Sequence, residues 1–229
     1  MKALLIFLLL ALNMHPAVAQ NYDRMRENMV RRQIRNRGID HKPTLEAMLS
    51  VERHLFVPAG QQARAYDDGP VPIGYGQTIS QPYIVAYMTQ LADPKPGDRV
   101  LEIGAGSGYQ AAVLGEIVEQ VYTIEIIPEL AARARGLLRE LGYDNIEVLT
   151  GDGYYGLEKH APYDAIVVTA AAEYIPPPLI AQLKDGGKMI IPVGSPFLVQ
   201  TLMLIEKKGE RITTTNLMPV RFVPFTRRN

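Results

Sequence analysis

No cysteine occurs anywhere in the 229 residues. That excludes disulfides, thiolate metal sites and a cysteine nucleophile. Histidine is scarce: His15, His41, His54 and His160 are the whole supply. None falls in the H-E-x-x-H spacing of a helical zinc site, so no metal is expected. Net charge is missing as well. Lysine plus arginine and aspartate plus glutamate both total 24, so the overall balance steers the chain neither to nucleic acid nor to an anionic membrane. There is no internal repeat and no low-complexity run. The one long apolar stretch, residues 3–12, is too short for a bilayer-spanning helix, which needs about 20 residues. What remains is 47% hydrophobic and 21% charged, enough for one α/β domain with a sizeable core.

The short apolar stretch has a different reading. Lys2 gives a positive start, residues 13–16 break the run, and Ala17-Val-Ala19 has the small-x-small form read by a signal peptidase. Residues 1–19 are therefore expected to be an export leader, leaving 210 residues, with no membrane anchor after cleavage. The alternative is a start at Met25 or Met29, which would leave the protein cytoplasmic.

The most informative stretch is Val100-Leu-Glu-Ile-Gly-Ala-Gly-Ser-Gly-Tyr109. Four residues of β-forming, mostly apolar type run into Gly104, Gly106 and Gly108, and a helix-compatible run, residues 110–118, follows. Strand, glycine turn and helix together open a nucleotide-binding half of an α/β sheet. The glycines allow a ligand to approach bare backbone that a Cβ would block. Tyr109 takes the place of the third glycine of the dinucleotide fingerprint, and Glu102 precedes the first glycine by two positions. A carboxylate there repels a pyrophosphate and attracts a sulfonium and an ammonium group. The loop thus suits S-adenosylmethionine better than NAD; the bland alternative is a glycine turn that only packs.

The rest of the chain is arranged around that unit. Strand 121–125 ends in Glu125, a carboxylate suited to both ribose hydroxyls of an adenosine. Strand 145–150 ends at Gly151-Asp152-Gly153, with Asp152 placed to accept from an adenine amino group. A buried strand, 163–169, ends at Thr169. Helices are expected at 128–141 and 176–183, and strands at 187–193, 201–206 and 217–223. Alternating strands and helices predict an α/β, doubly wound, Rossmann-like parallel sheet with helices on both faces. Ligands in such sheets sit at the carboxyl ends of the strands, where Gly104, Glu125, Asp152 and Thr169 converge.

Residues 20–97 are expected to add N-terminal helices and a loop to the α/β core at 98–229. The arginine-rich stretch 21–37 predicts an amphipathic helix ending near Gly38, docked by Met25, Met29, Val30 and Ile34, its arginines a solvated face and not a nucleic-acid surface. A second helix, 43–51, is expected to bury Leu45, Met48 and Leu49. His54 has no carboxylate or serine spaced to orient it as a base and is expected to be structural or at the surface. Residues 66–81 are dense in glycine and proline and predict a loop. Within it Thr78 and Ser80 alternate with Ile79, which puts both hydroxyls on one side if the segment is extended. Ser80 serves equally well as N-cap of a helix over 83–91.

Taken together, the glycine loop and the Thr-Ile-Ser loop resemble those of the protein-L-isoaspartate O-methyltransferases. The resemblance runs from about Met25 to the C-terminus. It is carried by Phe56-Val-Pro58, Ile73-Gly-Tyr-Gly-Gln-Thr-Ile-Ser-Gln-Pro82 and the glycine loop, with support from Gly151-Asp-Gly153, Pro162-Tyr-Asp-Ala-Ile166 and Val223-Pro-Phe-Thr226. Tyr83 stands where many members have histidine. The resemblance implies a methyltransferase fold, a repair activity on L-isoaspartyl proteins and peptides, and S-adenosylmethionine as methyl donor. It implies donor contacts at Glu102, Gly104, Ala105, Gly106, Ser107, Glu125, Asp152, Gly153 and Thr169. It makes Ser80 the active-site residue, with acceptor contacts at Thr78, Ile79, Ser80 and Val223, in a monomer. An isoaspartyl residue carries a free α-carboxylate, ionised at neutral pH with a pKa of about 3.5, so no general base is required. Catalysis would then be in-line placement, which supplies roughly 7–11 kcal/mol. Two other readings stand beside it: a small-molecule methyltransferase sharing Glu102, Glu125 and Asp152, and a nucleotide-binding or partner-binding module without catalysis.

Overall fold

The computed structural model describes residues 16–195 and 197–227. The expected leader falls mostly on residues 1–15, which lie outside the described residues; Pro16–Asn28 form the first helix, α1. Winding continues past it as a wider turn over Met29–Ile34 and a tighter one over Arg35–Arg37. It stops at Gly38, whose φ of 93° only a residue without Cβ adopts readily. The expected helix over 21–37 is thus one rod with three kinds of winding, and Met29, Val30 and Ile34 are its buried stripe. Helix α2, Lys42–Ser50, buries Thr44, Ala47 and Met48. Leu49, expected inside, is 40% exposed. At 100° per residue it falls off the stripe that Thr44, Ala47 and Met48 define.

The glycine- and proline-rich stretch is more ordered than a loop. Val71–Gly74 (β1) and Gln77–Ile79 (β2) form a small antiparallel hairpin. The turn residues Tyr75 and Gly76 both have positive φ, 54° and 70°, the backbone that matches the twist of a two-residue hairpin. Helix α3 follows at Pro82–Ala92 with Gln81 at its N-cap, so Ser80 lies one residue outside the helix and is not the cap.

The main sheet is built from β3 (Arg99–Ile103), β4 (Gln120–Glu125), β5 (Ile146–Thr150), β6 (Tyr163–Val168), β7 (Leu183–Val193), β8 (Gln200–Lys208) and β9 (Arg211–Val220). Its spatial order is β5-β4-β3-β6-β7-β8-β9. Helices α4 (Tyr109–Gly115), α5 (Pro128–Glu140) and α6 (Pro177–Ala181) lie between strands. Strands β3 to β7 pair in parallel. The expected doubly wound parallel sheet is present in these five strands, and the correction lies at the edge, where the last two strands are antiparallel. The connections explain why: only residues 194–199 join β7 to β8 and 209–210 join β8 to β9, too few for the crossover that a parallel pair requires. The final strand also ends at Val220, earlier than the expected 223.

Both faces of the parallel part of the sheet are buried, and strand alternation sorts the residues between them. Val100, Val121, Ala165 and Val167 face a core shared with α3, α4, α5 and the N-terminal helices. Leu101, Ile103, Tyr122, Ile124, Ile166 and Val168 face a smaller core covered by Leu179 of α6. The chain leaves β3 toward β4 on one side and returns to β6 on the other. That reversal opens a crevice above the carboxyl end of β3, the position where open α/β sheets take their ligands.

Candidate active site

Strand β3 delivers the glycine loop to that crevice. Gly104, Gly106 and Gly108 have φ of 100°, 53° and 88°, left-handed values that explain why the three positions are glycine. Space decides at Gly104 too: a Cβ there would stand 2.5 Å from the Thr169 hydroxyl. That hydroxyl donates to the carbonyls of Gly104, at 2.8 Å, and Ile103, at 3.0 Å. The end of β6 therefore pins the start of the loop. Gly153 is equally tight, since a Cβ would meet Ile103 Cγ2 at 2.3 Å.

Two carboxyl groups flank the loop. Glu125, at the end of β4, accepts from the Gly106 N–H at 2.8 Å through one oxygen and from the Ile127 N–H at 2.9 Å through the other. Each oxygen keeps a further lone pair, so the carboxylate is oriented without being used up. Glu102 is fully buried. Its Oε2 accepts from Thr123 Oγ1, and its Oε1 is buried without a hydrogen-bond partner. Burial, helped by the charge of Glu125, pushes the Glu102 carboxyl up to about 8. Burial thus favours the protonated form of Glu102, where its sequence position suggests a fixed negative charge. An unpartnered buried oxygen beside bare glycine backbone fits the cationic end of a sulfonium amino acid.

One open cleft is lined by Glu102, Gly104, Ala105, Gly106, Ser107, Glu125, Gly153 and Thr169 from the sheet side. Thr78, Ile79 and Ser80 from the hairpin and Val223–Thr226 from the C-terminal tail complete its wall. Asp152, expected beside them, stands back from this lining. Its Oδ2 accepts from Arg227 Nε at 2.9 Å and its Oδ1 from the Tyr154 N–H at 3.0 Å. A second groove adjoins the first and shares Thr78, Ser80, Thr169 and Val223 with it. Its outer wall brings in Ile84, Val199, Met218, Arg221 and Phe222. Thr78 is exposed while Ile79 is only 4% exposed, so alternation on β2 turns Thr78 outward and Ile79 inward.

The contacts that hold the tail and the hairpin in place carry no signal of their own in the sequence. The tail is held by main-chain bonds, Ala171 N–H to Val223 at 2.8 Å and Phe225 N–H to Ala171 at 2.9 Å. The hairpin is held by Arg133 of α5, which donates to the Ile73 carbonyl at 2.6 Å. His54 is buried, stacked on Tyr22 at 3.9 Å between centroids and bonded to the Tyr66 hydroxyl at 2.9 Å, so it is structural.

A family model described as protein-L-isoaspartate(D-aspartate) O-methyltransferase matches residues 24–229. The chain belongs to that family. It is 60% identical over 191 residues to protein-L-isoaspartate O-methyltransferase 2 of Polaromonas sp., covering 81% of this chain and 90% of that one. It is 52% identical over 225 residues to the protein-L-isoaspartate O-methyltransferase of Opitutus terrae, covering 98% and 97%. Among solved structures, it resembles that of a protein described as a putative protein-L-isoaspartate O-methyltransferase from Plasmodium falciparum in complex with S-adenosyl-L-homocysteine. The TM-score is 0.76 at 27% identity, covering 90% of this chain and 99% of that one. Within this isoaspartyl methyltransferase, none of the described residues form a cluster of three or more histidines, cysteines or carboxylates able to hold a metal. No described helix is long and apolar enough to cross a membrane.

Proposed function

We propose that Ser80 aims the acceptor in the reaction of this family, methyl transfer from S-adenosylmethionine to the α-carboxylate of L-isoaspartyl residues in damaged proteins. The observation that carries the assignment is the shared cleft: Ser80 and Thr78 border the same cavity as the glycine loop, Glu102 and Glu125. Glu125 would offer its remaining lone pairs to the ribose hydroxyls, Glu102 would meet the cationic end, and Gly153 would border the adenine, with Asp152 reaching it only from behind the cleft lining. When bound, the donor supplies a methyl carbon already activated by positive sulfur. The hydroxyl of Ser80 donates to one oxygen of the acceptor carboxylate and leaves the other oxygen free to attack. Thr78, Ile79 and Val223 hold the peptide backbone beside it. A carboxylate with a pKa of about 3.5 needs no base, which agrees with a cleft lined by hydroxyl, amide and carboxyl side chains and by no histidine among the described residues.

The test compares an isoaspartyl peptide with its aspartyl twin. Methyl ester should form on the first alone. Equal turnover on both, or transfer only to small carboxylic acids, would reject this assignment in favour of a small-molecule methyltransferase. Donor binding without any transfer would point to a binding module. The enzyme acts as a monomer on polypeptides and takes no nucleic acid; the arginines of α1 and its extension serve as a solvated face. Residues 1–19 form an export leader cut after Ala19, which places the mature enzyme outside the cytoplasm. Sequencing the N-terminus of protein from its native host tests this, and an intact Met1, or a start at Met25, would overturn it.

A further inference from the structure

Behind Ser80 lies a charge that the reaction as described does not use. Arg53 opens a short helical turn, Arg53–Phe56, and its side chain is fully buried. Its Nε donates to the Ala65 carbonyl at 2.6 Å and its Nη2 to the carbonyl of Ser80 at 2.7 Å. The guanidinium carbon lies 4.8 Å from the centroid of the Tyr109 ring. Its Nη1 is buried with no hydrogen bond of good geometry, and the phenol of Tyr109 is the polar side chain beside the guanidinium.

The charged and titratable groups that act on Arg53 are Tyr109 and Tyr66, and no carboxylate is among them. Burial pushes the Tyr109 phenol up to about 12, and raises that of Tyr66 as well, so neither is an anion at neutral pH. Burial also works against the guanidinium, but arginine holds its proton so strongly that it stays charged. A buried cation without a counter-ion is costly and is kept where something answers it. Tying Ala65 to Ser80 needs only N–H donors, which a neutral amide provides as well. The charge itself calls for an anion, and Ser80, whose carbonyl Arg53 holds, borders the cleft in which the acceptor carboxylate is proposed to sit.

We propose that Arg53 is a positioning residue with two tasks, fixing the main chain of Ser80 and supplying from behind it the positive charge that favours an ionised acceptor. The proposal rests on the reading of Ser80 given above. A carbonyl that accepts from a cation polarises its own amide, so the field reaches the cleft through the Ser80–Gln81 peptide group without a direct contact. Ala65, Ser80 and Tyr109 come from three separate segments, which is why a residue with a forked, rigid donor set occupies the position.

The experiment measures, with S-adenosylhomocysteine present, the affinity of an isoaspartyl peptide and of its neutral α-methyl ester. Wild type, Arg53→Gln and Arg53→Lys are compared. Arg53→Gln keeps donors and removes charge; it should weaken the carboxylate peptide about tenfold and the ester by less than about twofold. Arg53→Lys keeps the charge and loses the fork; it should lower kcat while leaving the carboxylate-to-ester ratio near that of wild type. Equal weakening of both peptides in Arg53→Gln would make the residue purely structural and overturn the proposal. If Arg53→Gln does not fold, a ratio that collapses in Arg53→Lys overturns it instead. A wild-type enzyme that binds neither peptide would strike at the reading of Ser80, an outcome distinct from either.

Discussion

Glu125 and Ser80 face the same cleft and are held there in opposite ways. Glu125 ends a fully paired central strand, and both its oxygens are fixed by N–H groups of the adjoining loops, two and 19 residues away. Ser80 follows a three-residue strand of a detached hairpin and is gripped by a side chain 27 residues upstream. The hairpin is in turn tethered by Arg133, 60 residues downstream. The proposed donor side of the cleft is thus a product of the sheet. The proposed acceptor side is a product of tertiary contacts between segments that share no strand. The difference predicts that the two sides fail separately, and that each failure has its own kinetic signature.

The largest effect should come from Glu125→Ala. It removes an acceptor from two loop N–H groups and the partner proposed for the ribose. With hydrogen bonds to a charged group worth about 1.5–3 kcal/mol each, donor affinity should fall on the order of hundredfold or more. Calorimetry with S-adenosylhomocysteine measures it. Once donor is saturating, kcat should recover most of its wild-type value. A variant whose donor affinity is unchanged would show that the loop does not need its carboxylate, and the contrast between the two sides would collapse.

Ser80→Ala should do the reverse. Loss of one charge-assisted hydrogen bond predicts a drop of about 10- to 100-fold in kcat/KM for the isoaspartyl peptide, with donor affinity within about twofold of wild type. Because Ser80 is not the cap of α3, thermal stability should scarcely change. A loss of donor binding in this variant would mean that the hairpin shapes the whole cleft, and the two sides would be one.

The same division explains what was legible in the sequence. Val100 to Tyr109 is one continuous stretch in which strand, turn, ligand loop and helix each leave a local mark, so the donor side could be read from residue type and spacing. The acceptor side left a weaker mark. Alternation singled out Thr78 and Ser80 in the loop, but the residues alone left Ser80 open between N-cap and active site, and only the family resemblance chose between them. Arg53 and Arg133 read as ordinary arginines, because what makes them matter is the distant carbonyls they meet, at Ser80 and Ile73. The antiparallel edge was legible in principle, since residues 194–199 are too few for a crossover. The weight of the alternating pattern upstream masked it. The state of Glu102 was not legible at all: spacing places a carboxyl beside the glycine loop, but only burial reveals that it begins protonated.

That protonation gives the last and smallest expected effect, and one that belongs to the donor side alone. In the free enzyme the Glu102 carboxyl titrates near 8, far above its ordinary 4.5. A cationic ligand favours the carboxylate, so binding lowers that value and releases a proton. Donor affinity should therefore be level above pH 8 and fall by up to about tenfold per unit as pH drops below it, until the bound-state value is reached. Calorimetry in buffers of different ionisation enthalpy reads the proton directly. Glu102→Gln should abolish the release and flatten the profile, while the peptide KM at saturating donor stays put. Stability obeys the same linkage. The unfolded chain ionises this group above about 4.5, whereas the folded chain holds the proton to about 8, so its stabilising contribution is complete below the first value and lost as pH rises through the second. Glu102→Gln should accordingly raise Tm more at pH 8 than at pH 5. A variant that binds donor with the wild-type proton release would place the titrating group elsewhere in the cleft, and Glu102 would be a packed carboxyl with no part in holding the cation.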